Sequence, residues 1–80
     1  MSSPYLEYIR EFMYTRRYVK RTVDVYLYWI KFFIIYSGKR HPSDMGDKEV
    51  EAFLTYLANE RSLAVKSQAT ALNALSFLYR

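Results

Sequence analysis

Tyr18-Val19-Lys20-Arg21-Thr22-Val23-Asp24-Val25-Tyr26-Leu27-Tyr28-Trp29-Ile30-Lys31-Phe32-Phe33-Ile34-Ile35-Tyr36 is the stretch on which the fold turns. Val23, Leu27, Ile30 and Ile34 recur at helical spacing on one face, and Val25, Trp29, Phe32 and Tyr36 on another. A helix that is apolar on most sides is normally the central, most buried helix of its domain. Lys20, Asp24, Tyr28 and Lys31 make its wet stripe. The helix is expected to start between Tyr18 and Thr22, where no side chain makes a convincing N-cap. It should end near Tyr36, where Ser37-Gly38 supplies a glycine stop.

Working outward, Ser3-Pro4 reads as a helix start, with serine as N-cap and proline at the first helical position. Tyr5, Ile9, Phe12 and Met13 then follow the helical period, and this first helix should close near Thr15. On the other side, Lys39 to Asp44 is a polar connection. A third helix is expected from Gly46 or Asp47 to Asn59–Ser62, burying Val50, Phe53, Leu54, Leu57 and Ala58. A fourth should run from Ala64 or Val65 to the end of the chain without a stop signal, as if cut from something larger. Its apolar side carries Ala71, Leu72, Leu75 and Leu78, and Lys66, Thr70 and Asn73 share a polar face. No strand alternation, internal repeat or sustained heptad interrupts the pattern. The expected fold is all-α, a compact four-helix bundle packed around the second helix.

Eighty residues make one domain, 1–80, rather than two. Hydrophobic residues are 51% of the chain and aromatics 19%, enough to build a core without staples. The absence of cysteine excludes a disulfide framework and thiolate zinc sites, and suits a reducing compartment. Val25–Tyr36 is too short to span a bilayer, and no signal pattern opens the chain. A cytoplasmic location without membrane association is expected.

Catalytic chemistry has little to work with. His41 is the sole histidine and sits beside Pro42, where a turn or surface role is the plain reading. Asp44, Asp47, Glu49 and Glu51 suit the positive end of a helix better than a cation site. No phosphate loop, dinucleotide fingerprint or nucleophile elbow is present. Spacing puts most of the nine tyrosines on core faces or at the core boundary. Neither a catalytic site nor a cofactor is expected within these residues.

The charge is more informative. The net value is +4. Residues 15–41 hold Arg16, Arg17, Lys20, Arg21, Lys31, Lys39 and Arg40 against Asp24, a balance of seven minus one, or +6. Residues 44–60 hold Lys48 against Asp44, Asp47, Glu49, Glu51 and Glu60, one minus five, or −4. A helix N-terminus offers unpaired N–H groups and a positive dipole end, and cations placed there favour phosphate. Lys66, Ser67, Gln68 and Thr70 repeat the theme at the fourth helix, with side chains that reach phosphates or base edges. The plain alternative for Arg16–Arg21 is a solvated loop and helix start.

Three stretches carry a family likeness: Arg21 to Ile30, with its Arg-Thr, Tyr and Trp; Gly38-Lys39-Arg40-His41-Pro42; and Glu49 to Leu54 continuing through Leu57-Ala58-Asn59-Glu60-Arg61. The pairs Ala71-Leu72 and Ala74-Leu75, then Phe77 and Tyr79, extend it. The chain resembles the N-terminal, SAM-like core-binding domain of tyrosine recombinases, above all that of integron integrases. The resemblance implies an orthogonal four-helix domain forming half of a clamp around recombination-site DNA. A separate C-terminal catalytic domain of the same parent protein forms the other half. In that family the second and fourth helices face DNA, which points to Lys20, Arg21, Thr22 and Tyr26, and to Lys66, Ser67, Gln68, Thr70 and Asn73. It also extends the expected DNA from duplex to folded single-stranded hairpins. The isolated domain is expected to be a monomer. The sequence departs from the family at Val19 and Ala64, where serine is favoured, losing caps worth about 1 kcal/mol each. It departs again at Val23 and Asp24. The rival reading is a helical protein–protein module with an aromatic binding surface.

Overall fold

The computed structural model describes residues 4–79. It contains α1 (Pro4–Thr15), α2 (Lys20–Tyr36), a 3₁₀ turn (Pro42–Asp44), α3 (Asp47–Asn59) and α4 (Val65–Leu78). Among the described residues there is no strand. The radius of gyration is 12.3 Å, that of a packed domain rather than an open array. Ser3, the expected cap of α1, and Arg80 lie outside the described residues.

Each helix end has a local cause. α2 begins after Val19, whose extended backbone (φ −74°, ψ 153°) has N-cap geometry but no side-chain hydrogen bond. It ends in a Schellman motif: the Lys39 N–H donates to the Ile34 carbonyl at 2.8 Å, and the Gly38 N–H donates to that of Ile35 at 3.1 Å. Gly38 sits there at φ 83°, the left-handed region glycine enters without strain. His41 starts the 3₁₀ turn, its Nδ1 accepting the Ser43 N–H at 3.1 Å. The turn buries Pro42 and leads to buried Met45, neither of which the sequence pattern marks as core.

α2 is the central helix and belongs to two apolar clusters. Val23, Leu27 and Ile30 pack with Ile9 and Met13 of α1 and with Phe77. Trp29 and Phe33 pack with Phe53 and Leu57 of α3 and with Ala71, Ala74 and Leu75 of α4. Tyr26 and Leu78 touch both clusters. Phe33, absent from either face expected of α2, is fully buried. Its ring lies 5.6 Å from that of Phe53 and 6.3 Å from that of Tyr79. Two expectations are corrected. Leu72 is 46% exposed and Ala58 is exposed, because the buried arc of α4 runs through Ala71, Ala74, Leu75 and Phe77, and that of α3 through Phe53 and Leu57. Helical rotation of 100° per residue carries Leu72 and Ala58 off those arcs. α4 also stops at Leu78 rather than running on, with Tyr79 as its C-cap.

Candidate nucleic-acid interface

The corner between α1 and α2 presents Arg16, Arg17, Lys20 and Arg21, all exposed. α1 closes in a second Schellman motif, Tyr18 N–H to Met13 carbonyl at 3.0 Å and Arg17 N–H to Tyr14 carbonyl at 2.9 Å. Arg17 fills the position that glycine fills in α2, at φ 66°. The Arg16 guanidinium lies over the Phe12 ring, 4.5 Å from its centroid. Lys20 donates to the Asp24 carboxylate one turn on at 2.8 Å, and this hydrogen bond raises the Lys20 pKa. Among the described residues no carboxylate pairs with Arg16, Arg17 or Arg21. Thr22 is half-buried. The half-buried Tyr26 ring packs 5.9 Å from Phe77 and 6.4 Å from Tyr18, so it holds the two clusters together.

α4 opens after Ala64, again in extended N-cap geometry without a side-chain hydrogen bond. Lys66 and Asn73 are exposed on one face, with half-buried Thr70 between them. Thr70 Oγ1 donates back to the Lys66 carbonyl at 3.0 Å. Gln68 is half-buried, and its amide donates to the Leu63 carbonyl at 2.7 Å, bracing the turn before the helix. Ser67 is half-buried. α2 and α4 form the most extensive helix pair of the fold. Among the described residues no side-chain hydrogen bond or ion pair joins their two polar groups.

α3 is built differently. Glu49 Oε1 accepts the Gly46 N–H at 2.7 Å, closing the N-terminus from within, and this bond chiefly lowers the Glu49 pKa. Arg40 turns toward this acidic end. Its Nη1 lies 3.4 Å from Glu49, and its Nη2 donates to the Asp44 carbonyl at 2.6 Å. The cationic segment seen in sequence is thereby divided: Arg40 faces the Glu49 carboxylate and the Asp44 backbone carbonyl, whereas the α1–α2 corner faces solvent. No group of three His, Cys, Asp or Glu among the described residues could hold a metal ion. His41 sits edge-on to the Tyr5 ring at 4.6 Å, in keeping with a turn residue.

Most of the nine tyrosines lie at the core boundary, as their spacing predicts. Tyr5, Tyr18, Tyr26, Tyr56 and Tyr79 are half-buried, while Tyr8, Tyr14, Tyr28 and Tyr36 are exposed. The spacing gave no sign that Tyr8 would stand 63% exposed near the basic corner. No helix among the described residues is long and apolar enough to cross a membrane.

Comparison with known proteins places this geometry in context. The family model described as phage integrase, N-terminal SAM-like domain, matches residues 5–80. Proteins named "Integrase/recombinase" from Escherichia coli and Pseudomonas aeruginosa are each 45% identical over 74 residues, 92% of this chain. The match covers 22% of the length of each relative.

Proposed function

Because the chain belongs to the phage integrase N-terminal SAM-like domain family, we propose that it is the DNA-binding domain of an integron-type tyrosine recombinase. Residues 1–80 form one half of a clamp on recombination-site DNA, duplex or folded hairpin. The strand chemistry belongs to a catalytic domain elsewhere in the parent protein. The domain works in the cytoplasm.

One observation carries this reading: the contrast between helix ends. α3 is acidic at its start, and although its N-cap Gly46 has no capping side chain, Glu49 takes the Gly46 N–H. α2 and α4 start without a side-chain cap, beside Lys20-Arg21-Thr22 and Lys66-Ser67-Gln68. First-turn N–H groups that no side chain caps, next to cations, suit phosphate oxygens, and phosphate can supply the stabilisation the missing caps forgo. Arg16, Arg17, Lys20 and Arg21 fix the strand at α2, with Thr22 at its edge. Lys66 and Asn73 present the accessible polar groups of α4. Ser67, Gln68 and Thr70 support that surface, and Tyr26 positions α2 through its ring.

Binding of a duplex recombination site, measured by anisotropy across a salt series, tests the proposal. Affinity should fall steeply with salt, and Arg21→Glu should weaken binding and flatten the slope. The exposed Tyr28, Ile35 and Leu72 favour the rival reading, a surface for a partner protein. An absence of DNA affinity at low salt, with Arg21→Glu neutral in the parent protein, decides for that rival.

A further inference from the structure

The C-terminal ends of α2 and α3 meet. Tyr36, the last residue of α2, stacks on Tyr56 in the last turn of α3, with ring centroids 4.7 Å apart and planes 30° from parallel. An open groove of about 410 Å³ lies over this pair, completed by Glu51, Thr55, Asn59 and Glu60. Tyr36 remains 40% exposed, and those four side chains are exposed as well.

The groove is built for positive charge and has none of its own. A helix C-terminus carries the negative end of the helix dipole, and Lys or Arg commonly sits there. Neither α2 nor α3 has a basic residue in its last turn. Among the described residues no cation pairs with Glu51 or Glu60. Arg61, next in sequence, is held over the Phe32 ring, 5.6 Å from its centroid. The exposed phenol of Tyr36 adds the attraction of an aromatic face for a cation.

These features narrow the occupant. An apolar helix laid here would strip water from Glu51 and Glu60 without offering them a cation. A nucleic-acid strand would set phosphates against the same carboxylates. A guanidinium satisfies the whole lining, because it stacks flat on a ring while its N–H groups fork toward a carboxylate; an ammonium does only the second. A second copy of the chain has few arginines to give. Arg10, Arg40 and Arg61 are engaged with Glu7, Glu49 and Phe32. Arg16, Arg17 and Arg21 form the corner proposed to hold phosphate.

The geometry points to this groove as a docking site for an arginine-bearing segment of a partner protein, its guanidinium stacked on Tyr36 and its charge answered by Glu51 and Glu60. The site is independent of the DNA-binding reading. α2 has 17 residues, so Tyr36 stands roughly 24 Å along the helix from Lys20. DNA held at the α1–α2 corner leaves this groove open.

Two blocked peptides test it, one with two arginines spaced by glycine and one with lysines in their place. Titrated into the isotopically labelled 80-residue chain, the arginine peptide should shift the amide resonances of Tyr36, Tyr56 and Glu60 and bind roughly two- to five-fold more tightly than the lysine peptide. Glu51→Gln should weaken both peptides. Tyr36→Leu keeps an apolar side chain beside Phe53 and should erase the preference for arginine, with circular dichroism checking that it folds. Both variants should bind duplex DNA as the unaltered chain does. Equal affinity for the two peptides, shifts confined to the acidic start of α3, or an undiminished preference in Tyr36→Leu overturns the site and leaves the DNA-binding reading untouched. Self-association of the chain that Glu51→Gln abolishes in sedimentation makes the groove an interface between copies and overturns the proposal.

Discussion

The Tyr79 hydroxyl donates a hydrogen bond to the Pro42 carbonyl at 2.8 Å, joining positions 37 residues apart. It ties the end of α4 to the 3₁₀ turn and holds the Tyr79 ring edge-on against Phe33 at 6.3 Å. Removing the hydroxyl leaves the ring in place. Tyr79→Phe should therefore lower unfolding stability by about 1 kcal/mol with an unchanged denaturant slope, read from urea titration.

The same phenol sets an alkaline limit. Burial, with a contribution from Tyr5, raises the Tyr79 pKa above its ordinary 10.0, and burial also raises that of Tyr5. As pH climbs past 10.0 the unfolded chain releases these protons before the folded one does. The folded state then binds more protons, so stability is intact below that pH and falls above it. Thermal melts from pH 8 to about 11 should show this decline, and Tyr79→Phe should make it shallower.

Arg17 occupies a left-handed position at φ 66° that glycine would fill without strain. Arg17→Gly should stabilise the domain by about 1 kcal/mol. It should weaken DNA binding at the same time and reduce the salt slope by about 0.9 if the side chain holds one phosphate. A variant more resistant to urea yet weaker on DNA separates folding from binding at a single residue.

Val19 and Ala64 have N-cap backbone geometry without a capping side chain. Val19→Ser or Ala64→Ser should each raise stability by about 1 kcal/mol. Both native residues are exposed, so neither change opens the core. Urea midpoints measure the gain.

Leu75 is 1% exposed and Leu72 is 46% exposed. Leu75→Ala should cost about 2–5 kcal/mol. Leu72→Ala should change stability by less than about 0.5 kcal/mol. Equal losses at the two positions would place the buried face of α4 elsewhere.

The helix boundaries were legible because local chemistry sets them. Proline opens α1, Gly38 closes α2, and the acidic Asp47 and Glu49 start α3. The mixed burial of α2 was legible from its apolar period. Which residue of an apolar run points inward was harder to read. Phe32, Phe33, Ile34 and Ile35 are all compatible with a core, and only the placement of α3 and α4 selects Phe33 among them for complete burial. The same holds for Leu72, an apolar residue turned outward by the neighbours that Ala71, Ala74 and Leu75 face. The charged segment was visible as a sum, but its division was not, since Arg40 meets Glu49 only when the 3₁₀ turn folds back. The convergence of Tyr8, Tyr18 and Phe77 was invisible in sequence because they come from three separate segments.

The membership of α2 in both apolar clusters has a consequence for how the domain opens. Neither α1 nor the α3–α4 pair has a core without it, and Tyr26 and Leu78 bridge the two halves. Subglobal opening of one half exposes apolar surface of the other, so the chain behaves as one cooperative unit. Hydrogen exchange should be slowest through Val23–Phe33, at the rate of global unfolding, with α1 fraying first from its N-terminal turn.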